Sequence, residues 1–226
     1  VCDSIARELE SVYPVGGKRV RVIRNVPSLA RSGTQYPSLR DTLHVADDQL
    51  VLLWQGGTGP TRLLEPIIRA LAVAPKVVFV IRGPSLDLFG EGYRKLAEDV
   101  GVGDRLHLLP PVKSADVVAA AVGADVGIWT LPNLSKNFYY ALPNKIFEYL
   151  AAGLPLACAN FPEARAIVET YGVGQTFDPY SPESIARALT KLANTETREQ
   201  CAHNVGDALA GLQAGKEWSK LVDLYD

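Results

Sequence analysis

Short apolar runs alternate with amphipathic patterns along most of the chain, and this alternation constrains the fold more than any other feature. The apolar runs lie at 50–54, 77–81, 106–109, 126–129 and 154–158, with a weaker one at 173–177. Helical patterns follow them at about 60–73, 87–100, 113–123, 143–152 and 162–170. Strands that are apolar on both faces and alternate with helices indicate a parallel sheet covered on both sides. We therefore predict an α/β fold, a Rossmann-like doubly wound parallel sheet.

The two ends of the chain carry further patterns outside this alternation. Residues 3–13 have helical spacing, a β-branched run follows at 19–23, and 28–48 is polar and weakly patterned, as in a connector. Three helical stretches close the chain at 182–194, 196–212 and 216–225. The chain starts inside an amphipathic pattern and contains no methionine. We interpret it as a piece of a longer protein.

Composition and charge argue against several classes of protein. The net charge of −2 argues against a nucleic-acid binder that uses a broad basic face. No apolar run has the length of a membrane span, and no signal peptide is visible. Cysteines and histidines are few and scattered, which predicts neither a disulfide scaffold nor a metal site and suits a reducing cytosol: Cys2, Cys158, Cys201, His44, His107 and His203.

A glycine-rich turn joins the first apolar run of the alternation to a helical pattern. Gly56, Gly57 and Gly59 let the backbone approach a ligand, and the following helix start offers free N–H groups. Arg62 can add a bidentate contact to a phosphate. The stretch matches neither the dinucleotide fingerprint nor the Walker A motif. A tight turn with a solvated arginine stays an open alternative.

The stretch "YYALPNKIFEYLAAGLPL" contains the second candidate site. Pro143 suits the first position of a helix, and Asn144 and Lys145 follow in the turn whose N–H groups are unpaired. Glu148 lies one turn later on the same face as Asn144, where it can accept hydrogen bonds from a pair of sugar hydroxyls. Gly153 ends the helix before the next strand. The alternative is a surface pair between Lys145 and Glu148.

Two other strand ends are less informative. Gly83 and Pro84 are most simply a turn, with Arg82 as a charge in water at the end of its strand. Pro110 and Pro111 stiffen the loop before Val112, and a stiff loop can offer backbone groups to a nucleobase. A rigid connector is the simpler interpretation of this loop.

Several segments, taken in order, resemble the C-terminal halves of retaining GT-B glycosyltransferases of family 4. Residues 143–168 and 173–189 are similar to the family's glutamate-bearing helix, its Ala-Gly-x-Pro turn and the elements that follow, and 54–71 looks like its glycine turn and basic helix start. Residues 4–27 are similar to the last helix and strand of the N-terminal domain, and 217–225 to the helix that returns to it. The resemblance covers nearly the whole chain.

The resemblance implies roles for residues around the predicted helix at 143–152. Glu148 matches the second glutamate of the E-x7-E motif, which binds the ribose hydroxyls of the nucleotide. Leu142, Pro143 and Asn144 match the loop and helix start that meet the diphosphate and the donor sugar. The first glutamate of the motif would fall at Tyr140, which is a departure from the family pattern.

The resemblance also implies roles on the other side of the predicted site. Arg62 matches the basic residue that binds the diphosphate, Gly56 the glycine at the strand end, and Val112 the loop that contacts the base. Gly57 stands where the family often has a second basic residue. Arg62 and Glu148 are therefore the implied catalytic residues. Gly56, Gly57 and Val112 complete the donor site, and the resemblance implies no metal.

From these features we expect residues 28–215 to be the donor-binding domain of a glycosyltransferase. Residues 1–27 would be a remnant of the N-terminal domain and its linker, and 216–226 a helix returning to that domain. The expected donor is a UDP-sugar, with a GDP-sugar second, and the acceptor a glycan or lipid-linked molecule of polysaccharide biosynthesis. The expected location is the cytoplasm. Peripheral association with the inner face of the membrane is an alternative for the full-length protein. The expected partner is the missing N-terminal domain, without which the chain would be inactive. The alternatives are a non-catalytic nucleotide-sugar-binding module and a sugar-nucleotide epimerase.

Overall fold

The computed structural model of the chain describes residues 2–14, 20–26, 33–212, 217, 219–220 and 222–223. A sheet of six strands forms the centre of this part: β1 (Leu50–Gln55), β2 (Val77–Arg82), β3 (Leu106–Leu109), β4 (Val126–Trp129), β5 (Leu156–Ala159) and β6 (Gly174–Phe177). All neighbouring strands pair in parallel, in the order β3-β2-β1-β4-β5-β6. The predicted fold class is confirmed.

Helices cover the sheet and begin and end close to the predicted positions in most cases. They are α1 (Asp3–Val12), α2 (Leu39–Thr42), α3 (Glu65–Ala70), α4 (Leu86–Asp99), α5 (Lys136–Tyr139), α6 (Asn144–Ala151), α7 (Pro162–Tyr171), α8 (Pro182–Ala193) and α9 (Thr195–Gly211). Every residue of β1, β2, β4 and β5 is buried, which explains their continuous apolar runs. None of the helices in the described part of the chain has the length and hydropathy that a membrane crossing needs.

The predicted helix at 60–73 is broken into three pieces. A 3₁₀ turn at Pro60–Arg62 precedes α3, and a second one at Leu71–Val73 follows it. Leu63, between the first turn and α3, has a left-handed backbone with φ 52°. Pro66 lacks the N–H that would bond to the carbonyl of Arg62, so one helix cannot run through this point.

The predicted helix at 113–123 is wrong, because only two 3₁₀ turns form there, at Ser114–Asp116 and Ala119–Ala121. Carbonyls that would close helical turns accept hydrogen bonds from elsewhere in the fold. The carbonyl of Val117 accepts from Gln55 Nε2 at 2.8 Å, and that of Ala120 accepts from Arg82 Nη1. Tertiary contacts therefore replace the helix that the pattern predicts.

The ends of the chain depart from the predictions or lie outside the described residues. Residues 20–23 of the predicted strand 19–23 form no strand: the Val20 N–H donates to Glu10 Oε1 at 2.7 Å, and the Arg24 N–H to Glu217 Oε2 at 2.9 Å. Within the predicted connector 28–48, the structure adds the short helix α2. The predicted domain boundaries at 27/28 and 215/216 lie outside the described residues, as does part of the predicted helix 216–225, and they stay predictions.

The order of the strands reverses between β1 and β4, and the region beyond their carboxyl ends at Gln55 and Trp129 is called the crevice below. Six residue pairs join β1 to β2, but only two join β1 to β4, at Leu52 with Val126 and Leu53 with Gly127. Beyond Leu53, β1 therefore has a partner strand on one side only. In open α/β sheets, this reversal point at the carboxyl ends is where ligands bind.

Candidate functional site

Two glycines bring the loops after β1 and β2 into contact at the crevice. Gly56 has φ 133°, a backbone conformation that L side chains rarely adopt, and its N–H donates to the carbonyl of Arg82 at 2.9 Å. A Cβ on Gly83 would overlap the carbonyl oxygen of Gly56. Both positions therefore require glycine, and the two loops form one continuous wall.

Tyr149 fixes α6 against the open side of β1. Its hydroxyl accepts a hydrogen bond from the N–H of Gln55 at 2.9 Å, where no β4 residue pairs with β1. Its ring lies where a Cβ on Gly127 would be, so that glycine makes room for the aromatic ring. Complete burial raises the pKa of the hydroxyl, which stays neutral. The helix is thus attached to the strand end that it faces.

The helix α6 begins and ends close to the predicted residues. Pro143 is the residue before the first turn, with φ −82°, rather than the first helical residue, so the helix begins at Asn144. At the other end Gly153 has φ 84°, and the N–H of Leu154 donates to the carbonyl of Tyr149 at 2.9 Å. This bond and the left-handed glycine form a Schellman cap, so the predicted end at Gly153 is confirmed.

Lys145 turns from the start of α6 into the crevice. Its Nζ fills the space that a Cβ on Gly56 would occupy and lies 4.9 Å from the ring centroid of Trp54. Trp54 is fully buried, and its Nε1–H donates to the carbonyl of Gly57 at 3.2 Å. In the described part of the chain, Lys145 makes neither a hydrogen bond nor an ion pair. The alternative of a surface pair with Glu148 is therefore wrong.

The charges around the glycine turn influence one another. Burial lowers the pKa of Lys145, against the attraction of Glu148 and with the repulsion of Arg62. Burial also raises the pKa of Glu148, and the nearby lysine opposes that shift. Arg62 Nε lies 3.5 Å from the position that a Cβ on Gly57 would take. Two cations thus lie at the turn, and Glu148 acts on Lys145 from beyond ion-pair distance.

A cavity of about 280 Å³ extends from the glycine turn to the loop after β3. Its wall is formed by Gln55, Gly56, Gly57, Arg82, Gly83, Pro84, Pro111, Val112, Ser114 and Val117. The structure therefore brings together the predicted site residues Gly56, Gly57 and Val112. Their functional roles stay predictions.

Arg82 is buried rather than solvated, contrary to the interpretation made from the sequence. Its residue is 8% exposed, and its Nη1 donates to Gln55 Oε1 at 3.0 Å and to the carbonyl of Ala120. Burial lowers the pKa of this guanidinium, and the charge interaction with Tyr36 opposes that shift. Arg82 therefore ties the floor of the cavity to the segment between β3 and β4.

The other predicted site residues lie at the start of α6 or behind it. Leu142 lines a different cavity of about 290 Å³, between α1 and α7. Asn144 is exposed, and its Oδ1 accepts from Asn25 Nδ2 at 3.4 Å. The carbonyl of Tyr140 accepts from Cys2 Sγ at 3.2 Å, which attaches the loop before α6 to the start of α1. The structure therefore does not place Leu142 or Asn144 in the cavity that Val112 lines.

The sequence analysis missed Lys145 and Arg82 as residues of this region. Lys145 lies four positions before the buried Tyr149, so the sequence places it at the edge of the buried stripe of α6. Arg82 directly continues the apolar run of β2, where every residue is buried. Within the described residues, no group of three histidine, cysteine, aspartate or glutamate side chains is arranged to hold a metal ion.

Comparison with known proteins decides the family. Residues 38–206 match the family described as "Glycosyl transferases group 1". The chain belongs to this family. The sheet and the glycine turn lie within the matched residues.

Among characterised relatives, the chain is similar to the D-inositol 3-phosphate glycosyltransferase of Thermomonospora curvata. The two are 26% identical over 215 residues, which are 86% of this chain and 48% of that protein. The chain spans about half the length of the curated relatives that it matches.

Solved structures share the fold at low sequence identity. Anabaena HepE, solved in complex with UDP and glucose, superimposes with a TM-score of 0.68 at 18% identity, over 83% of this chain and 50% of that one. The C-terminal domain of a group 1 glycosyl transferase from Francisella tularensis gives 0.62 at 15% identity, over 81% and 94%. These structures confirm the Rossmann-like fold of the GT-B type.

Proposed function

We propose that this chain is the donor-binding C-terminal half of a retaining family 4 glycosyltransferase, which transfers a sugar from a nucleotide-diphosphate sugar to an acceptor. One observation carries the proposal: positive charge without an ion-pair partner among the described residues gathers at a glycine turn in the crevice, with a carboxylate beside it. Lys145 and Arg62 supply the charge and Glu148 the carboxylate. A nucleoside diphosphate has the complementary groups, an anionic diphosphate and a pair of ribose hydroxyls.

The expected pose of the nucleotide follows the walls of the crevice. The diphosphate would lie over Gly56 and Gly57, where backbone can approach closely and Arg62 can contact an oxygen. Glu148, half-buried one turn inside α6, would accept hydrogen bonds from the ribose hydroxyls. The cavity that ends at Val112 would take the base, with uridine expected first because the structural neighbour HepE was solved with UDP.

The proposed chemistry needs a stabilised leaving group. The bond between the anomeric carbon and the diphosphate breaks, and both of its electrons go to the β-phosphate oxygen. The acceptor hydroxyl oxygen bonds to the same carbon on the same face, and its proton passes to the departing diphosphate. Negative charge on the phosphate grows in the transition state, so preorganised cations and backbone N–H groups lower the barrier.

We propose that transfer needs the other half of the protein. The chain covers 48% of its relative from Thermomonospora curvata, and it superimposes over 94% of a structure described as a C-terminal domain. An acceptor site would then lie on an N-terminal domain across the crevice. We expect this chain alone to bind nucleotide and to give no sugar transfer in an assay with UDP-sugars. Transfer by this chain alone would overturn the division of labour.

Calorimetric titration of the chain with UDP, GDP and ADP tests the donor site. One nucleotide should bind, and Glu148→Ala should weaken it tenfold or more, since a carboxylate on two hydroxyls contributes about 1.5–3 kcal/mol. Glu169→Ala, an exposed glutamate of α7, is the matched control and should bind as the wild type does. Equal affinity in Glu148→Ala and wild type would reject the ribose contact.

A non-catalytic nucleotide-binding module is a second candidate, favoured by two residues. Tyr140 stands where the family has the first glutamate of its motif, and Gly57 where it often has a basic residue. In the full-length protein, Tyr140→Glu should raise donor affinity or activity if the site is a weakened one. A loss of activity would show that Tyr140 has its own role in transfer. A sugar-nucleotide epimerase would need its own acid and base side chains near the crevice, and the family match favours a transferase over it.

A further inference from the structure

We propose that Lys145 is the second cation of the diphosphate site and replaces, from α6, the basic residue that is missing at Gly57. The inference rests on the proposed function, because it concerns the same nucleotide. It assigns to the ammonium a direct contact with diphosphate oxygens, which Arg62 would share from the opposite side of the turn. The sequence around Gly57 alone suggests half a site, and the fold supplies the other half from a distant helix.

The first step is the place that the ammonium occupies. Lys145 Nζ lies where a Cβ on Gly56 would be, directly over the turn. Gly57 next to it has no side chain, and the nearest side-chain atom to its free position is Arg62 Nε at 3.5 Å. The two cations therefore approach one short stretch of backbone from two different elements.

The second step is that the position of the lysine is built by its surroundings. The ammonium lies 4.9 Å from the ring centroid of Trp54, a cation–π distance, and that ring is fully buried. One turn further along α6, Tyr149 restrains the helix, because its hydroxyl accepts a hydrogen bond from the N–H of Gln55 at 2.9 Å. The start of α6 is thereby held over the glycine turn.

The third step is that the N–H donors of the ammonium are not used within the described residues. An ammonium has three N–H donors, and in the described residues Lys145 gives none of them to an acceptor. Burial without a partner disfavours a charge, and glutamate at 148 offsets this only from beyond ion-pair distance. A side chain that served only the fold would be better as an apolar one of similar length. An incoming anion would use all three donors.

The test compares Lys145→Met, which keeps the length and removes the charge, with Lys145→Arg, which keeps a cation. Lys95→Met, an exposed lysine of α4, is the matched control. Each variant is titrated calorimetrically with UDP, UMP and uridine, and its thermal midpoint is measured without ligand. These probes share the base and ribose and differ only in phosphate, so they separate a phosphate contact from any other.

We expect Lys145→Met to weaken UDP binding about tenfold to a hundredfold, UMP binding less, and uridine binding not at all. Lys145→Arg should restore most of the UDP affinity, and Lys95→Met should match the wild type. The thermal midpoint of Lys145→Met should stay close to that of the wild type, because the loss of the cation–π contact with Trp54 is offset by the removal of a buried charge. This combination is not produced by a lysine whose role is structural.

Other outcomes overturn the inference in distinguishable ways. Wild-type affinity for UDP in Lys145→Met would reject the contact and leave the proposed function intact. Equal losses for UDP and uridine would show that Lys145 shapes the crevice without contacting phosphate. No nucleotide binding by a folded wild-type chain would reject the proposed function itself, before any variant is compared.

Discussion

Cations at the two ends of the same sheet are treated in opposite ways. At the amino ends of the strands, Arg105 precedes β3 and donates to three backbone carbonyls, those of Leu71 at 2.8 Å, Ala74 at 3.0 Å and Val77 at 3.1 Å. At the carboxyl ends, Lys145 donates to none of the described residues. Both side chains leave helical turns and reach across the chain to the sheet.

A second cation at the amino ends of the strands is also bonded within the fold. Arg40 Nη2 lies 2.6 Å from Asp125 Oδ2, and the same oxygen accepts from the N–H of Val51 at 2.7 Å. Asp125, the residue before β4, thus connects Arg40 to the start of β1. The cations Arg40 and Arg105 at this end bond strands and loops to one another, so their role is structural.

The difference teaches how to distinguish structural from ligand-binding charges in one domain. A partly buried cation that donates to several acceptors of the fold stabilises the chain that it bonds. A partly buried cation without acceptors loses hydration that no hydrogen bond replaces, and under the proposed function an anion in the crevice would replace it. Arg82 shows that position alone does not decide: it lies at the carboxyl end, yet it bonds Gln55 and Ala120.

The largest expected effect is a loss of stability when the hydrogen bonds of Arg105 at the amino ends of the strands are removed. Arg105→Met removes a charged donor from three carbonyls, so the free energy of unfolding should fall by about 2–4 kcal/mol. The thermal midpoint should fall by roughly 5–12 °C for a domain of this size. Urea denaturation followed by circular dichroism measures the change, and UDP affinity at a temperature where the variant is folded should be unchanged.

Arg94→Met is the control for Arg105→Met. Arg94 is exposed on α4 and is 3.7 Å from Glu91 in a surface pair, so its loss should change stability by less than about 0.5 kcal/mol. A variant of Arg105 that is as stable as this control would contradict the structural role. A variant that is stable but loses nucleotide would reverse the comparison between the two ends.

A smaller effect is expected where the carboxyl end is itself bonded. Tyr149→Phe keeps the ring over Gly127 but leaves the buried N–H of Gln55 without an acceptor, which should cost about 1–3 kcal/mol. UDP affinity should also fall severalfold, because Lys145 lies one turn earlier on the same helix. Urea denaturation and calorimetry measure the two changes.

The exposed Tyr13 provides the matched substitution for Tyr149. Tyr13→Phe should leave both stability and affinity as in the wild type. Loss of stability in Tyr149→Phe with full UDP affinity would mean that the helix start keeps its place without this bond. The site and the strand would then be independent, which would weaken the contrast between a bonded and an unbonded end.

The sheet was well predicted from the sequence because a buried strand is a continuous apolar run, which is visible in a few consecutive residues. Six apolar runs became six strands, and the left-handed turn at Gly153 was readable from one residue. The failures concern partners that are far apart in the chain. Arg82 is buried through Gln55 and Ala120, which no local pattern predicts. Within the predicted helix 113–123, the carbonyls of Val117 and Ala120 accept from these distant side chains.

The candidate site shows the same limit. Gly56, Gly57 and Val112 were predicted from loops that follow strands, and a shared cavity brings them together. Lys145 was missed because its role depends on Gly56, which is close only after α6 has packed against β1. Local helix rules pair this lysine with Glu148, and the fold instead directs it to an aromatic ring and a glycine.

The smallest expected effect is a change in the pH dependence of stability that comes from Lys145 alone. Its pKa in the folded chain is lowered by burial, against attraction from Glu148 and with repulsion from Arg62, whereas in the unfolded chain it titrates near 10.5. Between these two pKa values the unfolded chain binds more protons than the folded one, so stability rises with pH in that window. Below the lowered pKa both states carry the proton, and the contribution is constant and unfavourable.

The difference in unfolding free energy between wild type and Lys145→Met should therefore rise as pH approaches 10.5 and then level off. Taking the difference removes the other groups that titrate in this range, whose environments the substitution leaves in place. Lys145→Arg should show no such rise relative to Lys145→Met, because arginine keeps its proton throughout. Saturating UDP should flatten or reverse the rise for the wild type, since a diphosphate that contacts the ammonium favours its charged form. Parallel curves for wild type and Lys145→Met in urea denaturation from pH 7 to pH 11 would show that the ammonium is solvated like any surface lysine, and the contrast between the two ends of the sheet would not hold.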